Sequence, residues 1–190
     1  MSAQYVETQS PRFVVETIGG HEQIVVGAQR NLFLMLFLPV WLCGWTFGGV
    51  MALNTLLKSF QPFLLIWLCG WAVGEAFVIA ALCWMFFGKE ILRVVGTDLE
   101  IGYSILGFTR RKLFRGSAIR DLTSCDPPPL VRYNQPSLPF LTGTKTGSVK
   151  FAYGARTIYA AQGLDRPEGR LIVERLRKRL PSTATVQDDA

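Results

Sequence analysis

The chain has 190 residues, of which 49% are hydrophobic, 12% aromatic and 18% charged, with a formal net charge of +6. Soluble domains carry about a quarter charged residues, so this chain is poor in charge and rich in apolar surface, and an intrinsically disordered polymer is excluded. Its 18 glycines show no period and its 4 cysteines are few, which excludes collagen-like and disulfide-dense scaffolds; the positive balance points to an anionic neighbour.

Residues 1–30 form an N-terminal segment in which Phe13–Thr17 and Gln23–Val26 read as strands. They are expected either to add to a later sheet or to grip a neighbouring molecule. No stretch among them has the basic start and apolar run of a signal peptide.

The next region, 31–88, reads as a membrane-spanning helical hairpin. Residues 32–53 hold no charge and residues 63–87 hold one, Glu75. A helix needs about 20 apolar residues to cross a bilayer core, and a helix of a soluble domain keeps a polar face that neither segment has. The connection 54–62 has Lys58 as its only charge, whereas Arg30, Lys89 and Arg93 flank the other ends. Basic residues next to spans stay in the cytoplasm, so a multi-pass inner-membrane protein with both termini cytoplasmic is expected. Pro39 bends the first span by removing a backbone hydrogen bond.

The spans share a motif. Trp41-Leu42-Cys43-Gly44-Trp45-Thr46-Phe47-Gly48 recurs as Trp67-Leu68-Cys69-Gly70-Trp71-Ala72-Val73-Gly74. Each copy contains G-x-x-x-G, whose glycines leave a groove for a neighbouring backbone. Gly44 with Gly74, and Gly48 with Gly70, lie at equal depth about a turn centred on residue 59. The four glycines are therefore expected at the hairpin seam, with closest approach near Thr46 and Ala72, or else at a seam with another chain.

Trp84, Phe86 and Phe87 are placed as an aromatic belt at the cytoplasmic interface. Trp41, Trp45, Trp67 and Trp71 lie deeper, where an indole N–H lacks partners. They either fill space beside the glycines or meet another membrane subunit or a flat cofactor. Glu75, the single charge inside a span, calls for a partner or water. It bonds a backbone carbonyl or Thr46, or anchors a partner's Arg, His or backbone. Trp71 and Glu75 share a helix face, expected to turn away from the glycines.

Beyond Gly88 the pattern becomes that of short antiparallel strands: Ile91–Val95, a turn at Gly96-Thr97-Asp98, Leu99–Tyr103, Phe108–Phe114, Ala118–Thr123, Val149–Tyr153 and Arg156–Ala160. A helix follows, capped by Asp165 with Glu168 three residues on and Pro167 in its first turn. Ile172, Leu176 and Leu180 form its apolar stripe, and Pro181 stops it. The Pro-rich loop 124–147 exposes Leu130, Tyr133, Leu138, Phe140 and Leu141 for a partner, the sheet or the bilayer surface, and 182–190 reads as a loose tail.

The layout resembles bacterial two-helix membrane proteins with a pleckstrin-homology-like domain. The matching residues are Leu92-Arg93-Val94-Val95 before Asp98-Leu99-Glu100-Ile101, and Arg110–Phe114 before Ala118-Ile119. The run Val149–Thr157, followed by Gly163-Leu164-Asp165 and the helix, matches as well. The resemblance implies a membrane α-helical hairpin plus an α+β domain at 89–181, an antiparallel sheet capped by one C-terminal helix, without established catalytic residues. The Pro-rich insertion departs from a compact form of that domain.

Arg110, Arg111, Lys112 and Arg115 are the densest basic run. They read either as a surface for anionic lipid headgroups, worth about 1 kcal/mol per basic residue, or as a solvated strand edge on the positive side of the membrane. No nucleic-acid recognition motif accompanies them. His21 is the only histidine, Cys43, Cys69 and Cys83 lie in the spans, Cys125 stands alone, and no phosphate loop occurs. A non-enzymatic protein without metal or cofactor is therefore expected. Its expected role is that of an accessory or stabilising subunit of a larger inner-membrane complex (energy-converting, respiratory or photosynthetic). The alternative is a membrane-anchored adaptor that binds anionic lipid or a soluble protein. Membrane lipids and other membrane subunits are the expected partners.

Overall fold

In a computed structural model, residues 11–18, 20–126, 139 and 146–181 are described; the apolar residues singled out in the Pro-rich loop and the tail 182–190 lie outside them. The elements run β1 (Phe13–Ile18), β2 (His21–Gly27), α1 (Leu32–Lys58), α2 (Pro62–Phe87), β3 (Lys89–Val95), β4 (Asp98–Ile105) and β5 (Phe108–Phe114). A 3-10 turn (Gly116–Ala118), β6 (Ile119–Ser124), β7 (Val149–Tyr153), β8 (Arg156–Ala160) and α3 (Arg166–Arg177) complete the chain.

The strands form two antiparallel sheets, β1-β2-β3-β4-β5 and β6-β7-β8. Alternation sets their faces: Leu92 and Val94 of β3, and Leu99 and Ile101 of β4, are buried. Between them on the other face, Arg93 and Glu100 pair across the strands at 2.8 and 3.0 Å. Phe114 packs edge-on against Phe151 and Tyr153 of the second sheet, so the two sheets and α3 share one core. The expected capping box starts α3, with the Asp165 N–H donating to Glu168 at 3.0 Å, and its stripe Ile172, Leu176 and Leu180 is buried. Gly169 lets this helix lie directly on β7's approach: an added Cβ would come within 2.8 Å of the Ser148 Cβ.

Of the two fates open to the N-terminal strands, the structure shows the first: β1 and β2 extend the sheet through β3. They are also tied to α3. The Arg12 N–H and guanidinium donate to Glu168 at 2.7 and 2.8 Å, and the guanidinium meets Asp165 at 2.8 Å. Burial pushes the Glu168 carboxyl up, but the Arg12 bonds more than offset it and hold it low. Glu22 of β2 pairs with Arg175 and Arg179.

The helical hairpin is an insertion between two paired strands. Gly27 lies opposite Lys89, and the Ala28 N–H donates to the Gly88 carbonyl at 2.9 Å. A single residue, Gly88, joins α2 to β3. Trp84, expected in an interfacial belt, is instead 4% exposed. It belongs to the sheet core with Ala81, and its ring lies 6.2 Å from that of Tyr103. The last turn of α2 is stitched into the domain because the chain enters β3 too soon for that indole to point away. Phe86 and Phe87 remain exposed.

Gly88 faces Trp84 so closely that an added Cβ would lie 2.6 Å from the ring and overlap the Trp84 carbonyl oxygen. Gly88→Ala is expected to lower stability by about 1–3 kcal/mol, the usual cost of overpacking. Thermal unfolding in detergent micelles checks this; an unchanged midpoint would contradict the joint as described.

Candidate functional site

Trp41 and Trp45 stand one turn apart on α1, as Trp67 and Trp71 do on α2, so each pair shares a helix face. The antiparallel turn brings the pairs together. Trp45 and Trp71 stack with ring centroids 3.8 Å apart at 18°. Trp41 leans on Trp45 at 4.4 Å and Trp67 on Trp71 at 4.5 Å. The result is a ladder of indoles along the hairpin. The Trp45 and Trp71 Nε1 atoms are buried without a hydrogen-bond partner among the described residues.

The ladder changes the glycine seam. The seam contacts fall between Trp45 and Gly49 on α1 and between Trp71 and Glu75 on α2, but the glycines do not face one another. A Cβ on Gly48 would lie 3.5 Å from Trp71, one on Gly49 3.0 Å from its Nε1, and one on Gly74 3.9 Å from Trp45. Gly44 and Gly70 have nothing among the described residues within 4 Å of such a Cβ. Closing backbone on backbone would expel the indoles, whereas seating each indole over a glycine of the other helix buries more surface. Gly49, which sequence reasoning passed over, takes the closest contact. The motif offset carries it onto Glu75, so the two copies diverge where the helices touch.

Glu75 lies on the seam and not away from it, because the seam follows the Trp71 face. The Thr46 hydroxyl donates to its carboxylate at 2.5 Å, which is the local partner foreseen for it. Within the motif the copies also diverge at Thr46/Ala72 and Phe47/Val73.

A second carboxylate, Glu90 on β3, is buried below the sheet. It accepts the Gln162 N–H at 3.1 Å through Oε2, while Oε1 has no hydrogen-bond partner among the described residues. Burial pushes this carboxyl up to about 7, with the Gln162 and Ala161 backbone offsetting part of the rise. Sequence reasoning missed it: in the strand pattern Glu90 is one polar residue beside Lys89.

The basic run does not form one cluster. Arg110, Arg111 and Lys112 are exposed on edge strand β5 opposite Tyr103, Gly102 and Ile101. Alternation puts Arg111 on the opposite face from Arg110 and Lys112. Arg111 approaches Glu100 at 3.6 Å, and the Lys112 ammonium lies 5.1 Å from the Phe114 ring centre. Arg115 follows the far end of the strand. Among the described residues no three His, Cys, Asp or Glu side chains converge as metal ligands. No family model, curated protein or solved structure matches the chain.

Thr46→Val removes the one side-chain hydrogen bond found across the hairpin seam among the described residues. A loss of about 0.6–2 kcal/mol in hairpin stability is expected, read by thermal unfolding in micelles; an equal midpoint would show that the bond contributes nothing. The Glu90 carboxyl has an ordinary value of 4.5 when exposed. Below that pH it is neutral whether folded or unfolded. Between 4.5 and about 7 only the unfolded chain releases the proton, so stability falls as pH rises, reaching a constant deficit of about 3 kcal/mol above 7. Glu90→Gln removes this slope, so its advantage over the native chain grows from pH 5 to pH 8. Parallel pH profiles would contradict the assignment.

Proposed function

We propose that the chain is a non-catalytic integral membrane protein, an accessory or stabilising subunit of a larger inner-membrane complex of the energy-converting kind, respiratory or photosynthetic. The observation that carries this reading is the uncovered outer surface of the hairpin. Both helices are long and apolar enough to cross a membrane, and their most apolar windows are 0% buried. Leu32, Val40, Leu57, Phe63, Ile66 and Val73 are between 71% and 78% exposed. Leaving such side chains in water forfeits about 1.5–3 kcal/mol each, so lipid or protein covers them. Gly44 and Gly70 stay open beside exposed Cys43 and Cys69. With their own hairpin seam filled by indoles, they are the groove left for a neighbouring helix.

The basic residues at the sheet end support a cytoplasmic location for both termini. There the PH-like domain covers the cytoplasmic face of the assembly. Its exposed basic edge, β5, favours a second reading in which the domain is an adaptor for anionic headgroups or a soluble protein.

Native electrophoresis in mild detergent tests the first reading. The native chain is expected to migrate with a larger complex. Gly44→Ile with Gly70→Ile, which fills the open groove and leaves the seam untouched, is expected to release it as a monomer. A native chain that runs alone under the mildest extraction would overturn the reading.

A further inference from the structure

The two ends of the five-stranded sheet differ in chemistry. At the end far from the hairpin, β3 turns into β4 through Gly96-Thr97, with Gly96 at φ 62°. At the hairpin end, β4 turns into β5 through Leu106-Gly107, with φ 47° and 88°. Both residues of this tight turn are left-handed, a geometry that favours Asn, Asp or Gly. A leucine at its first position is costly in the backbone and buries nothing: Leu106 is 59% exposed and the adjoining Phe108 is 74% exposed.

The register places this tip. Ser104 lies opposite Lys89, the first residue after α2 and its Gly88 cap. Strands rise about 3.4 Å per residue, so the turn projects about 7 Å beyond Lys89, back toward the hairpin. Tyr103 touches Trp84 of α2, and Ile105 packs at the margin of the core that holds Ala81. The tip therefore runs beside the last turn of α2, where Phe86 and Phe87 are exposed too. Arg110 and Arg111 follow Phe108 by two and three residues, on the side away from the hairpin.

We infer that Leu106 and Phe108 form an apolar wedge that enters the same bilayer leaflet from which α2 emerges, with Arg110 and Arg111 beside the anionic phosphates. An interfacial apolar edge sits about 5–10 Å into that boundary, which the projection of the tip reaches. Continuity with the helix ends selects the chain's own bilayer as occupant, and the basic pair behind the tip fits its headgroups. The wedge would be a contact separate from the helices, holding the sheet domain at one orientation to the membrane. This rests on the reading that the hairpin spans a bilayer.

The test uses the full chain in vesicles of mixed zwitterionic and anionic lipid. A small fluorescent amino acid is placed singly at position 108, 73 or 95, and quenching by acyl-brominated lipid is read. Position 73 reports the hairpin and position 95 the opposite end of the sheet. Quenching at 73 and 108, stronger at 108 for bromines near the headgroup, with none at 95, is the expected result. Quenching at 73 without quenching at 108 overturns the wedge and leaves the spanning hairpin standing. Absence of quenching at 73 overturns the spanning reading and the wedge with it. Equal quenching at 95 and 108 also overturns the wedge, since the domain would then lie flat on lipid.

Discussion

The backbone pairing of β2 with β3 is the constraint on which the rest of the structure depends. It brings Gly27 opposite Lys89 and joins Ala28 to Gly88, so the entry and exit of the helical hairpin are held one strand apart. Two long apolar helices become, in topological terms, the loop of a β-hairpin. The sheet cannot swing on a linker, because a single glycine separates α2 from β3 and the Trp84 indole lies in the sheet core. Position and tilt of the domain are thereby set by the helices.

The hairpin is clasped by a different chemistry. Its helices meet through indoles seated over Gly48, Gly49 and Gly74, and through the Thr46–Glu75 bond. Large flat rings against bare backbone give dispersion contact without any apolar driving force between helices, which lipid does not supply. The same arrangement turns Gly44 and Gly70 outward. One repeated motif thus serves an inner seam with half of its glycines and presents the other half to the surroundings.

Much of the fold was legible in local patterns. Short β-rich runs between turns located β3 to β8, with clear alternation in β4, Gly96 and Gly154 marked turns with positive φ, and Asp165 with Glu168 announced α3. The mirrored depth of the two glycine motifs followed from antiparallel geometry. What remained hidden was set by tertiary packing. The pairing of β2 with β3 spans the whole hairpin, and no local pattern specifies it. The face of each glycine depended on where the neighbouring indoles went. Trp84 resembled an interfacial residue until its helix was seen to end inside the domain. Glu90 could not be distinguished from a solvated strand residue, since its burial arises from the turn at Ala161 and Gln162, far along the chain.

The central claim is that the clamped hairpin crosses a bilayer, with its turn on one side and both sheets on the other. Sided labelling in sealed inner-membrane vesicles tests it most directly. Ser59→Cys lies in the hairpin turn and Gly154→Cys in the β7–β8 turn. A membrane-impermeant thiol reagent is expected to reach one of these positions before lysis and the other only after it. Equal labelling of both from the same side would contradict the account.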